Sequence, residues 1–405
     1  MATRLLIIAE GATLAHVGRP LLVAEEAARR GWEVVFVRPQ RYAWMTRQAA
    51  FEVTDLEAQA PEVFAARLAS GSPLYDFATL DAYVGADRAL FRKYRPDAVI
   101  GDFRLSLAVS ARLESCAYVT LSNAYWSPFH VMNGAWPVPD LPLTRFMPIA
   151  AARTLFNLVR PLAFRMHAGP MRRLRHDYGL DSDVGLQAAY TDADLVCYCD
   201  FPGLFDLASA PPSHRVVGSL VWSPDVRVPD EWATLRNDLP TLYVTLGSSG
   251  QGDLLAPAVR ALADQGYQVI LSSAGKTMER IDHPLVHGAS MVPGDAACAL
   301  AAAVVCNGGS PTTQQALRAG RPVLGVPTNL DQFLNMGALE KRRVGRILRS
   351  DRFRSRSLTA AVAGLLQDGT AERARTFLGD AERAQFASND AVAARVLDLT
   401  RTVLN

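Results

Sequence analysis

VVCNGGSPTTQQALRAGRPVLGVPTNLDQFLNM, residues Val304 to Met336, places a bare Gly308-Gly309 pair between an apolar run and a helix-forming one, with hydroxyls and amides directly behind it. A strand (Ala301 to Cys306) that runs into Asn307-Gly308-Gly309-Ser310-Pro311-Thr312-Thr313 and then a helix (Gln314 to Ala319) presents unpaired backbone N–H groups at a helix N-terminus. Glycines there let the chain approach a ligand closely, and the amides with the helix dipole favour an anion such as a phosphate. The same residues also suit an ordinary strand-to-helix turn capped by Ser310 or Thr312, so both readings stay open on this turn alone. Neither the Gly-Lys-Ser/Thr ending of a P-loop nor Gly-x-Gly-x-x-Gly is present, which speaks against kinase-like and NAD-dependent chemistry.

Outward from this stretch, short apolar runs alternate with longer amphipathic ones, the pattern of an α/β protein with helices on both faces of parallel sheets. In the first half, Arg4 to Ala9 reads as a strand, Pro20 to Arg30 as a helix and Trp32 to Val37 as a strand. AVIGD, ending at Asp102, is a further strand, followed by a helix from Ser106 to Leu113 and by AYVTLSN. A second series opens with TLYVTLGSSG and continues through a helix around Leu254 to Gln265, YQVILSSAG, ASMVP and AAAVVCNGG. The plan is two doubly wound, Rossmann-like halves: 1–218, a linker over 219–238 where prolines and aspartates gather, and 239–405, whose last helix is free to pack back on the first half.

Composition sets limits. The 405 residues are too many for one ordinary core, and 42 basic against 40 acidic side chains give no global attraction to nucleic acid. The apolar start is soon broken by Glu10, which reads as a buried strand rather than a signal peptide, and no run reaches the roughly 18 to 20 apolar residues of a membrane span. The expectation is a cytoplasmic protein. Cys116, Cys197, Cys199, Cys298 and Cys306 have no metal or redox spacing and read as buried thiols. From Leu141 to His176 there are seven arginines and no acid, in a helical pattern interrupted by Pro148, Pro161 and Pro170. Leu155, Leu158, Leu162 and Met166 make one face greasy. A solvated basic face, peripheral membrane contact and an anionic acceptor are all open for 141–176.

The spacing of Met291-Val292-Pro293, Asn307-Gly308-Gly309, Thr312, Gln315-Ala316-Leu317, Gly320-Arg321-Pro322, Pro327 and Asp331-Gln332 with Asn335 resembles the donor signature of the family 1, UDP-glycosyltransferase-like enzymes. The resemblance is fullest over Thr241 to Leu348 and extends to Arg4 to Ser127. It implies the GT-B fold, two Rossmann-like domains facing a central cleft, with the acceptor held by the first and the nucleotide sugar by the second. It further implies that Gly247, Ser248, Ser249, Gly308, Gly309 and Thr312 hold the diphosphate and that Asp331 and Gln332 take the sugar hydroxyls. Main-chain groups at Val292 would read the base and Gln315 would reach the ribose. Three positions depart from the pattern: Asn307 replaces a histidine, Gln315 a glutamate and Met291 an aromatic residue. They bear on the choice between dTDP- and UDP-sugars rather than on the fold.

The first βα turn, Ala15-His16-Val17-Gly18-Arg19-Pro20, resembles the family's Gly-His-x-x-Pro segment. The match implies that His16 is the general base and Asp102 its carboxylate partner, a role suited to an imidazole whose unperturbed pKa lies near neutral. The activity implied is inverting transfer of a hexose to a hydroxyl of a small, largely apolar acceptor, a natural product or lipid, with Tyr125, Trp126 and Phe129 supplying aromatic surface. No cofactor or metal is expected, because amides and dipoles neutralise the diphosphate. Asp181-Ser182-Asp183 and Asp192-Ala193-Asp194 read as polar turns. A non-catalytic GT-B-like auxiliary protein and a GT-B sugar-nucleotide epimerase are the competing readings.

Overall fold

The computed structural model describes residues 3–132, 134–247, 250–278 and 280–404. Its apolar runs form two all-parallel sheets. The first holds β1 (Arg4–Ala9), β2 (Glu33–Arg38), β3 (Glu52–Asp55), β4 (Ala98–Asp102), β5 (Ala117–Ser122), β6 (Leu195–Tyr198) and β7 (His214–Val216) in the order β3-β2-β1-β4-β5-β6-β7. The second holds β8 (Thr241–Thr245), β9 (Gln268–Ser272), β10 (Val286–Ala289), β11 (Ala303–Cys306), β12 (Val323–Gly325) and β13 (Gly345–Ile347) in the order β10-β9-β8-β11-β12-β13. A strand such as Leu5-Leu6-Ile7-Ile8 is apolar throughout because both of its faces are covered. Leu5 and Ile7 pack with Val17, Leu21 and Ala24 of the helix Ala15–Arg29, whereas Leu6 and Ile8 pack with Phe91, Leu107 and Ala111 on the other side.

In each sheet the strand order reverses once near its middle, and that reversal opens a crevice at the carboxyl ends of two neighbouring strands. Register fixes what meets there. Ala9 of β1 pairs with Asp102 of β4, and Thr245 of β8 pairs with Cys306 of β11. The turn after β1 therefore lies beside the end of β4, and the turn after β8 beside the glycine pair.

Contacts divide the chain into two units, 3–132 with 158–222 and 384–404, and 134–157 with 223–383. The grouping cuts across the expected 1–218 domain at 134–157. Arg349 donates to the carbonyls of Val138 (2.7 Å) and Pro139 (3.1 Å), and the Asp140 N–H donates to the Thr328 carbonyl at 2.8 Å, which ties this excursion to the second unit. The closing helix Asn389–Leu404 lays Val392, Val396 and Leu397 into the core of the first unit.

Three local expectations are corrected. The first helix begins at Ala15, so Pro20 lies inside it and His16 sits on its first turn. Ser290 to Pro293 lies beyond the strand Val286–Ala289 rather than in one. The basic stretch does break at Pro148, between a short helix Pro142–Phe146 and the long helix Ile149–Asp177, but the long helix runs through Pro161 and Pro170. A proline removes only one ladder N–H, and a helix of 29 residues keeps the remaining bonds.

Candidate active site

In the first unit the reversal between β1 and β4 gathers His16, Arg19, Asp102 and Phe103. The implied His16–Asp102 pair is not formed. Both carboxylate oxygens of Asp102 accept from Arg19, Oδ2 from Nε and Oδ1 from Nη2, each at 2.8 Å. The third guanidinium nitrogen, Nη1, donates to Asn123 Oδ1 at 2.8 Å, and Asn123 Nδ2 donates in turn to Asp200 at 2.9 Å. A guanidinium fork matches a carboxylate bidentately, which an imidazole cannot do, and that explains which partner the carboxylate takes. Burial pushes the Asp102 carboxyl up to about 6 against the pull of Arg19.

His16 instead stacks on Phe103, with ring centroids 5.1 Å apart and planes 11° from parallel. Its Nδ1 is buried without a protein hydrogen-bond partner. Burial first, and then the charge of Arg19, push the imidazole down to about 3, so the ring is neutral at physiological pH. An aromatic chain leads away from it: Phe103 meets Tyr190 edge-on at 5.2 Å, and Tyr190 meets Trp126 edge-on at the same distance. Of the expected acceptor residues, Trp126 lies on this chain. Tyr125 is buried against Phe205, and Phe129 packs on His214.

Behind Phe103, Arg104 is fully buried. It donates to Glu10 (3.0 Å) and Asp87 (3.0 and 3.2 Å), and it lies 3.5 Å over the ring of Tyr83. Tyr75 and Tyr83 hydroxyls donate to Glu10 at 2.9 and 3.0 Å. This paired network pins the residue after β1 to the end of β4, and so fixes the backbone that carries His16 and Phe103. Sequence reading missed Arg19, Phe103, Arg104 and Tyr190. Arg19 and Phe103 stand within or beside the motifs that singled out His16 and Asp102, and the strand register supplies the signal.

In the second unit the reversal between β8 and β11 brings Gly247 to Asn307. A Cβ on Gly247 would stand 3.3 Å from Asn307 Nδ2, and Asn307 Oδ1 accepts from the Gly309 N–H at 3.1 Å. Gly308 has φ +82°, and a Cβ there would meet Met336 Cγ at 2.5 Å, so this turn admits no side chain. The helix that follows is Ser310–Arg318, with proline in its first turn and Thr312 on the same turn. Asn335 Nδ2 donates to the Gly308 carbonyl (2.8 Å) and to Thr313 Oγ1 (2.9 Å), which staples the turn to the helix Leu330–Lys341.

The Gln315 amide packs where a Cβ on Gly294 would be, 2.7 Å away, so it lies beside the Met291-Val292-Pro293 turn. Val292 is buried and Met291 half-buried. Asp331 is half-buried on the first turn of the helix Leu330–Lys341. Gln332 is buried, and its Oε1 accepts from the Thr328 N–H at 2.8 Å in a capping box with Asn329, so its amide oxygen is engaged in the helix cap. Ser248 and Ser249 lie outside the described residues.

The two Asp-x-Asp runs have local partners. Asp192 pairs with Arg112 and Arg175, Asp194 accepts from the Tyr118 N–H at 2.8 Å, and Asp183 lies 3.3 Å from Arg172. Among the described residues no group of three or more His, Cys, Asp or Glu side chains is placed to hold a metal ion.

No family model matches the chain. It is 40% identical over 385 residues to a PGL/p-HBAD biosynthesis glycosyltransferase of Mycobacterium tuberculosis, covering 95% of this chain and 90% of the relative. A PGL/p-HBAD biosynthesis rhamnosyltransferase of Mycobacterium bovis is 38% identical over 379 residues, 93% of this chain and 84% of the relative. A Streptomyces glycosyltransferase solved with thymidine diphosphate superposes with a TM-score of 0.68 at 18% identity, covering 98% of this chain and 99% of that one.

Proposed function

This chain belongs to the GT-B nucleotide-sugar glycosyltransferases, in the group of the PGL/p-HBAD biosynthesis enzymes, and from that premise we propose that it moves a hexose from a dTDP-sugar to a hydroxyl of a small, largely apolar acceptor with inversion. The observation that carries the donor half is the glycine-bared turn of Gly247, Asn307, Gly308 and Gly309 at the head of the helix Ser310–Arg318. The helix head behind it, with its dipole and Thr312, suits a diphosphate without a metal ion. Val292 and Gln315, neighbours in space, would take base and ribose, and Asp331 the sugar hydroxyls. The thymidine preference is supported by the neutral amide at Gln315 and the pliable side chain of Met291. The rhamnosyltransferase relative and the thymidine diphosphate complex of the structural neighbour make dTDP-rhamnose the first donor to test.

On the acceptor side His16 is the proposed base. Its neutral ring would take the hydroxyl proton as the acceptor oxygen bonds to the anomeric carbon. The bond from that carbon to the diphosphate breaks on the opposite face, and the diphosphate leaves with the electron pair. Asp102 would act through Arg19: by cancelling the guanidinium charge it lets an imidazolium form nearby. Trp126, Tyr190 and Phe103 would offer the apolar acceptor its wall. A melting-temperature screen with dTDP-rhamnose, dTDP-glucose and UDP-glucose tests the reading, since a ligand at 100 times its Kd stabilises by about 2.7 kcal/mol. Product detection with phenolic and lipid acceptors follows. Absence of both stabilisation and transfer across the panel would overturn it.

A further inference from the structure

The helix Ile149–Asp177 is amphipathic the wrong way round. From Leu158 onward, in the part grouped with the first unit, it buries Ala168, Met171 and Leu174, with Met171 and Leu174 in that unit's core. Its opposite face is also apolar: Leu158 is 74% exposed, Val159 52%, Leu162 61% and Met166 60%. At 100° per residue these four fall within one stripe about 100° wide, centred away from the packed side. An outward stripe of large aliphatic side chains at i, i+4 and i+8 costs solvation unless something covers it.

The charges beside the stripe say what covers it. Arg165 and Arg172 flank it on one side, Arg173 continues it, and no carboxylate occurs between Leu141 and His176. Beside it opens a pocket of about 390 Å³, walled by Pro161, Phe164, Arg165 and Arg172, with Asp183 opposite Arg172 at 3.3 Å. Greasy residues between arginines match a surface whose apolar chains lie beneath anionic headgroups. No helix among the described residues is long and apolar enough to cross a membrane, so the fit is to the bilayer surface.

We propose that the Leu158 to Arg173 face docks this protein on anionic lipid bilayers, with Leu158, Leu162 and Met166 entering the acyl boundary and Arg165 at the phosphates. This is independent of the transfer chemistry. The test is co-flotation of the full chain with vesicles of phosphatidylcholine alone and of phosphatidylcholine with phosphatidylglycerol, at low and high NaCl. The expected result is binding to the anionic vesicles that weakens with salt. It should fall roughly tenfold or more in Leu162→Glu/Met166→Glu and roughly fivefold in Arg165→Gln. Both variants should keep the wild-type melting temperature, since these side chains are exposed. Absence of binding to anionic vesicles would overturn the proposal, as would equal binding to neutral ones. So would sedimentation velocity in which Leu162→Glu/Met166→Glu turns a dimer into a monomer without changing vesicle binding, because the face would then be an interface between copies.

Discussion

Replacing Asp102 by asparagine should destabilise the first unit before it says anything about catalysis. The Arg19 and Asp102 side chains are 8% and 1% exposed and meet through two hydrogen bonds of 2.8 Å. Asparagine keeps one acceptor oxygen but turns an N–H₂ group toward a guanidinium that has only donors, and the buried cation loses its countercharge. Breaking such a pair from one side costs about 3 to 5 kcal/mol. For a unit of this size each kcal/mol is worth about 2 to 4 °C, so the melting temperature should fall by at least about 6 °C. Arg19→Gln should cost as much by leaving the carboxylate alone. The double variant removes both charges, and its loss should be smaller than the sum of the singles by about 1 to 3 kcal/mol. Differential scanning calorimetry on the four proteins makes the measurement. Turnover should follow the same logic: Asp102→Asn leaves an uncompensated charge near His16 and slows transfer, and the double variant recovers part of it. An Asp102→Asn protein that melts within about 2 °C of wild type, or strictly additive singles, would refute the pairing.

His16→Ala should keep fold and donor binding and lose roughly 10² to 10⁴-fold in turnover, which steady-state kinetics and calorimetric titration separate. Because the imidazole is pushed down to about 3, kcat/KM should show no acid limb from His16 near pH 6.5, and its share of stability, present above about pH 6.5, should be lost as pH falls toward 3; a wild-type limb near 6.5 that vanishes in His16→Gln would contradict this. Gly308→Ala places a Cβ 2.5 Å from Met336 Cγ at φ +82° and should cost about 2 to 4 kcal/mol with a matching loss of nucleotide affinity, read by melting and titration. Activity should survive EDTA, and rescue of an EDTA-silenced enzyme by Mn²⁺ or Mg²⁺ would reverse the metal-free proposal. Calorimetry should show dTDP binding at least as tightly as UDP, because a neutral amide at Gln315 weakens the grip on a full ribose by about 1 kcal/mol; UDP binding tenfold tighter would remove the thymidine preference.

The sequence by itself determined the fold and the glycine turn after β11. Continuous apolar runs alternating with amphipathic ones leave few alternatives to parallel, doubly covered sheets, and a strand end followed by Gly308-Gly309 and a proline marks a glycine turn that opens a helix. These are local signals, set by residues within one turn of each other; the elements survive into the structure, while helix starts shift by four or five residues, from Pro20 to Ala15 and from Gln314 to Ser310. Tertiary structure decided which side chain answers which. His16 and Asp102 were legible as neighbours because strand order puts their ends in one crevice. That Asp102 binds Arg19, that His16 lies on Phe103, and that Gln332 caps its own helix depend on side-chain direction and on competition among several donors for one buried acceptor. Linear spacing carries no information about that competition, because it is settled by angstrom-scale geometry and by the cost of leaving a buried charge unpaired. The same holds for the basic helix: its stripe of leucines could be read from the sequence, but only packing decides that Met171 and Leu174 face the core while Leu158, Leu162 and Met166 face outward.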